Sequence, residues 1–175
     1  MTKNKKMQHI LLVDDDYVTL QTMKEFLVTL DYQVTTAEDC RQATEALRKP
    51  EKIDLMILDY LMPDGNGTDV LQSIALQKDL QRPPVIISSN IVESRNPYWE
   101  DLLKRLPHLS QSLIYAFVNK PYVFDQIEVI LRETLKEFAK KSEASSQVLT
   151  GDYRSTSLTT QPSNTQASQK NTQIR

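Results

Sequence analysis

Cys40 is the only cysteine in 175 residues. No intrachain disulfide can form, which suits a reducing compartment. No apolar run approaches the roughly 20 residues that a membrane helix needs. The run behind the N-terminal MTKNKKMQ is too short for a signal-peptide core and meets Asp14-Asp15-Asp16 at once. A cytoplasmic protein outside the membrane is expected. No charge sign dominates: the formal net charge is -2, so nothing pulls the chain strongly toward nucleic acid. Residues 142–175 are poor in apolar groups, with Tyr153 as their only aromatic. They bury too little to offset the entropy of ordering and read as a disordered Ser/Thr/Gln/Asn-rich tail. That tail shows no helix-turn-helix, zinc-ligand cluster or basic stripe. What remains is a flexible 1–8 and one domain over 9–141, long enough to bury a core.

Within that domain short apolar runs alternate with amphipathic stretches. His9 to Val13, HILLV, reads as a first strand ending in Asp14, Asp15 and Asp16. Residues 17–30 repeat Leu20, Met23, Leu27 and Leu30 at helical spacing, with Asp16 or a neighbour as cap. Residues 32–36 favour a strand, and 40–49 a second helix closed by Pro50. Leu55, Met56, Ile57 and Leu58 follow Asp54 and fit a strand buried on both faces. That strand ends in Asp59 and runs into Met62-Pro63 and the turn Asp64-Gly65-Asn66-Gly67. A third helix is expected over 68–77 and a fourth strand over Val85-Ile86-Ile87, ending in Ser88-Ser89-Asn90. Pro97 can open a helix carrying Trp99, Leu102, Leu103 and Leu106, which Pro107 ends. Residues 108–112 read as a loop or short turn. Residues 113–118, LIYAFV, make the last strand, and 122–141 a long final helix. This alternation predicts an α/β fold: a parallel sheet with helices on both faces. Periodicity leaves the strand order open.

Parallel strands place their C-terminal ends at one edge. Asp14, Asp15, Asp59, Ser89 and Lys120 therefore belong together. Clustered carboxylates repel unless a cation or protons intervene, and hard oxygen donors suit Mg²⁺. A hydroxyl and an ammonium beside them would stabilise a transferring phosphoryl group, with the Asp59 carboxylate as nucleophile.

Val13-Asp14-Asp15, Asp59 with Met62-Pro63 and Gly67, Ser89, and Lys120-Pro121 resemble, in that order, the signature of receiver domains of two-component response regulators. The resemblance covers roughly 9–141 and implies a CheY-like single-domain response regulator. It implies a flavodoxin-like, doubly wound five-stranded parallel sheet of order 2-1-3-4-5. It implies Mg²⁺-dependent phosphoryl transfer from a phosphohistidine to Asp59. Asp15, Asp59 and the Leu61 backbone carbonyl would ligate the metal directly, and Asp14 through water or as a partner of the lysine. Ser89 and Lys120 would contact the phosphoryl group. Phe117 matches an aromatic that turns on activation in some members; the alternative is plain core packing. Such a protein catalyses its own phosphorylation and dephosphorylation without being a conventional enzyme. The implied partners are a histidine kinase or histidine phosphotransfer protein upstream and a protein at the helix 4–strand 5–helix 5 face downstream. Homodimerisation through the final helix is the lesser option.

Three departures stand out. Asn90 takes a position that the family usually fills with a small residue. The Ser89–Lys120 span is longer than usual, and Ser110-Gln111-Ser112-Leu113 replaces a Gly-Ala pair before the last strand. These leave an alternative: a receiver-like binding module that works without phosphorylation. A haloacid-type phosphatase is disfavoured, because it wants a second Asp two residues after the nucleophile and Leu61 cannot shuttle a proton.

Overall fold

The continuous apolar runs form strands buried from both sides, and the amphipathic stretches cover them. In the computed structural model, residues 7–63, 65–90 and 104–150 are described, with side chains to 144. The elements are β1 (His9–Val13), α1 (Tyr17–Thr29), β2 (Gln33–Ala37), α2 (Cys40–Arg48) and β3 (Leu55–Asp59). A small antiparallel hairpin follows, β4 (Leu61–Met62) with β5 (Gly65–Asn66), and leads into α3 (Gly67–Leu76). Then come β6 (Val85–Ser89), α4 (His108–Leu113), β7 (Ile114–Asn119) and α5 (Phe124–Thr150). The main sheet has five strands, all parallel, in the order β2-β1-β3-β6-β7. Counting sheet strands alone, that is the expected 2-1-3-4-5.

Strand periodicity sorts the core into two layers. Leu11, Val13, Met56, Leu58, Val85 and Ile87 face α2 and α3, where Ala43, Leu47, Val70, Leu71 and Ile74 are buried. Ile10, Leu12, Leu55, Ile57, Ile86 and Val118 face α1 and α5, where Leu20, Met23, Leu27, Ile127, Leu131 and Leu135 are buried. Each fully buried aliphatic side chain contributes about 1.5–3 kcal/mol. Helix starts are set by short acids. Asp16 caps α1, its carboxylate accepting from Val18 N at 3.3 Å and Thr19 N at 3.1 Å. Asp39 caps α2 by accepting from Gln42 N at 2.5 Å.

The structure departs from expectation in places. β6 reaches Ser89, past the expected end at Ile87, because β7 continues pairing as far as Asn119. Residues 108–113, expected as a loop or turn, form α4, anchored where Ser110 Oγ donates to the Leu71 carbonyl at 2.7 Å. α5 runs past Lys141 to Thr150. A helix already nucleated by packing propagates cheaply through Glu143, Ala144, Gln147 and Leu149. Pro97, Trp99, Leu102 and Leu103 lie outside the described residues, as do 151–175. Among the described residues no helix is long and apolar enough to cross a membrane.

Candidate phosphoacceptor site

Register carries the side chains to one place. Val13 pairs with Leu58, Leu58 with Ile87, Asp59 with Ser88, and Ser89 with Asn119. Asp14 follows β1, Asp59 closes β3, Ser89 closes β6 and Lys120 follows β7. The backbone at these ends is pinned. Asp14 N donates to Ala37 O at 3.1 Å, Tyr60 N to Ser88 O at 2.9 Å, and Lys120 N to Ser89 O at 3.0 Å. The Lys120–Pro121 peptide is cis.

Carboxylate oxygens of Asp14, Asp15 and Asp59 all lie within 4.8 Å of one another. Asp14 and Asp59 are buried, whereas Asp15 is exposed. Lys120 Nζ lies 2.7 Å from Asp14 Oδ2 and 2.9 Å from Asp59 Oδ2. The Asp14 Oδ2 contact is ionic rather than a well-aligned hydrogen bond; Asp14 Oδ1 accepts from Asp16 N at 3.1 Å.

Burial pushes the Asp14 and Asp59 carboxyls above their ordinary range, and the Lys120 ammonium only partly offsets it. For Lys120 burial is the largest single influence and pushes downward. Its close contacts with Asp14 and Asp59 and its attraction to their charges together outweigh that and hold the ammonium above its ordinary range.

Two further positions shape the site. Gly67 N donates to Tyr60 O at 2.9 Å. A Cβ on Gly67 would stand 2.5 Å from the Asp59 carbonyl oxygen and 3.1 Å from Leu58 Cγ, so only glycine lets α3 start this close to the acid. Leu61 is 44% exposed at the rim, and its N–H donates to the Asp59 carboxylate.

Of the residues singled out from sequence, Asp14, Asp15, Asp59, Ser89 and Lys120 converge at this edge. Ser89 is buried there, with exposed Asn90 beside it. Phe117 is half-buried and packs on the α2–α3 side of the sheet. Asp16 serves as the α1 cap and stands outside the acidic trio. His9 lies at the other end of β1, its Nε2 2.8 Å from Thr35 Oγ1, and His108 opens α4. Sequence reasoning missed Ser88 and Tyr122, whose hydroxyls are buried behind the acids and, among the described residues, have no well-formed hydrogen bond. The available signal was a serine inside an otherwise aliphatic strand.

Residues 10–132 match the family model of the response regulator receiver domain. The chain is similar to the two-component response regulator ORR3 of Oryza sativa subsp. indica, 32% identical over 82 residues, 47% of this chain and 63% of that protein. The match thus spans less than two thirds of that curated relative. Among solved structures, a CheY-like receiver domain protein from Methanospirillum hungatei JF-1 superposes with a TM-score of 0.62 at 23% identity, covering 78% of this chain and 99% of its own. The receiver domain of the sensor histidine kinase PA1611 from Pseudomonas aeruginosa PAO1, with magnesium coordinated in its active site cleft, has a TM-score of 0.60. It is 23% identical and covers 74% of this chain and 98% of its own. The family model spans both core layers and all four strand ends that carry the site. This chain belongs to the response regulator receiver domain family.

Proposed function

We propose that the protein is a phospho-accepting switch in a two-component pathway, modified at Asp59. The carrying observation is the convergence of a buried acid, Asp59, with Asp14, Asp15 and Lys120 at the open edge of the sheet. Three carboxylates against one ammonium leave a formal -2 when ionised, and every offered donor is a hard oxygen. That set fits Mg²⁺. Asp15, Asp59 and the Leu61 carbonyl would hold it, with Asp14 through water. When bound, the ion neutralises charge on the phosphoryl oxygens.

This chain's own residues do the rest. An Asp59 carboxylate oxygen forms a P–O bond to the phosphoryl phosphorus as the P–N bond to the donor imidazole breaks. The bonding pair leaves with the imidazole nitrogen. Lys120, already 2.9 Å from Asp59 Oδ2, moves its charge onto a phosphoryl oxygen, and the Ser89 hydroxyl donates to another. Attack of water on the aspartyl phosphate returns the carboxylate and releases phosphate.

Modification adds negative charge and strong acceptors where Asp59 met Lys120. Recruiting Ser89 and Lys120 biases the segments attached to them, and Phe117, on the strand that leads to Lys120, packs on the α2–α3 side of the sheet. The output surface is the face made by residues 93–113, of which 93–103 lie outside the described residues, with β7 and α5, and a downstream protein binds one of its states better than the other. Upstream, a histidine kinase or phosphotransfer protein docks at the acidic edge, where Tyr17 and Val18 of α1 are exposed. The protein works in the cytoplasm, and the stretch 142–175 acts as an appendage rather than an output enzyme.

Intact-mass measurement after treatment with a small phosphodonor tests this reading. Wild type should gain one phosphoryl group with Mg²⁺ and none with chelator. D59N should gain none under either condition. A folded wild type that gains nothing, or a D59N protein that gains as much, refutes it.

A further inference from the structure

Two hydroxyls occupy a layer where the chemistry of the sheet calls for hydrocarbon. Ser88 is fully buried and is the register partner of Asp59. Tyr122 stands two residues past Lys120, its ring packed on the α1–α5 side and its hydroxyl buried. The neighbours on that side are Ile10, Leu12, Leu55, Ile57, Ile86 and Val118. The two hydroxyls face one another in a hydrogen-bonding contact that falls short of ideal geometry, and among the described residues neither has another partner. A buried hydroxyl left unsatisfied is costly, and a Val and a Phe of the same shapes would carry no such cost. Such groups ask for a reason.

Their location supplies one. Burial pushes the Tyr122 phenol up to about 12, so it remains an O–H donor, and the charges of Asp14, Lys120 and Asp59 all reach it. The backbone around the pair is the backbone of the site. Ser88 O accepts from Tyr60 N, next to Asp59, and Ser89 O accepts from Lys120 N. A link between the Ser88 and Tyr122 side chains therefore ties the turn after β7 to the strand beside Asp59.

We propose that the Ser88 and Tyr122 hydroxyls are a positioning pair for Lys120. By drawing the turn after β7 against β6 they keep the ammonium seated between Asp14 and Asp59. The functional consequence rests on the phosphoacceptor reading; the seating of Lys120 does not. An ammonium held between these carboxylates competes with a divalent cation for them. A loosened ammonium competes less, and it also serves an incoming phosphoryl group less well. Removing either hydroxyl should therefore tighten Mg²⁺ binding while slowing phosphoryl uptake. A variant that is merely less stable would weaken both.

The test compares wild type, Y122F, S88A and the double variant by three readouts. The first is the ¹⁵N-edited NMR signal of the Lys120 ammonium in metal-free protein. The second is calorimetric titration with MgCl₂, and the third is uptake from a small phosphodonor. The Lys120 signal should be sharp in wild type and exchange-broadened in each variant. The Kd for Mg²⁺ should fall severalfold and uptake should slow about tenfold. The double variant should match the single ones, since the pair acts as a unit. An unchanged Lys120 signal and Kd overturn the proposal. So do effects that add in the double variant, or a loss confined to the thermal midpoint. A wild type that takes up no phosphoryl group refutes the phosphoacceptor reading, and the Lys120 signal then still decides the pair.

Discussion

Lys120 holds two buried acids with one ammonium, and that shortage of positive charge governs how each residue behaves. Replacing it by Met leaves Asp14 and Asp59 buried without a cation. The expected cost is about 3–5 kcal/mol, measured by urea unfolding without divalent ions. Mg²⁺ should recover part of that loss in K120M, because it binds the folded carboxylates only. Asp59 gives the opposite result. Its folded pKa is raised above the ordinary 3.8 by burial. A raised carboxyl helps folding while protonated, and that help is lost as pH rises through the folded value. At neutral pH the ionised Asp59 therefore costs stability, and D59N should melt higher than wild type. The gap should shrink as pH falls through the folded value toward 3.8, where both states of the wild type bind the proton. Thermal melts from pH 7 downward check this; a D59N protein that melts lower at pH 7 contradicts it.

At the scale of elements, the start of α3 is the tightest joint at the site. G67A would drive a methyl into the Asp59 carbonyl, which is backbone and yields little. The expected loss is about 2 kcal/mol by chemical denaturation, with slower phosphoryl uptake because Asp59 is displaced. The five sheet strands and the helices α1, α2, α3 and α5 were legible in the sequence, because a strand buried on both faces has no polar alternation to blur it. The ends were less so. Ser88 reads as the end of an apolar run, yet β7 supplies pairing partners for it and for Ser89, which keeps both in the strand. No local pattern announces the β4–β5 hairpin, which has two residues a side, or α4, which depends on Ser110 reaching the Leu71 carbonyl far off in sequence. For the buried Ser88 and Tyr122 hydroxyls a serine after an aliphatic run was the only hint, because burial of one side chain against another is a property of the assembled sheet.

For the whole molecule, the sheet works as a frame whose carboxyl edge gathers residues from four strands. Asp14, Asp59, Ser89 and Lys120 span over a hundred positions of sequence, and only the parallel order makes them neighbours. Their identity as one site was readable because each sits at the end of an apolar run. α5 continues past the sheet as far as Thr150, and positions 141–144 are exposed. Deleting 142–175 should move the thermal midpoint by less than about two degrees and leave phosphoryl uptake unchanged. A larger fall would show that this stretch docks on the domain. The claim on which the account turns is that Asp59 alone is the acceptor. Borohydride reduces an aspartyl phosphate to homoserine, which leaves a mass tag on the modified residue. After treatment with phosphodonor and Mg²⁺, then reduction and peptide mapping, the account predicts homoserine at position 59 and at no other. Homoserine at position 14 or 15, or a phosphorylated protein untagged at position 59, would contradict it.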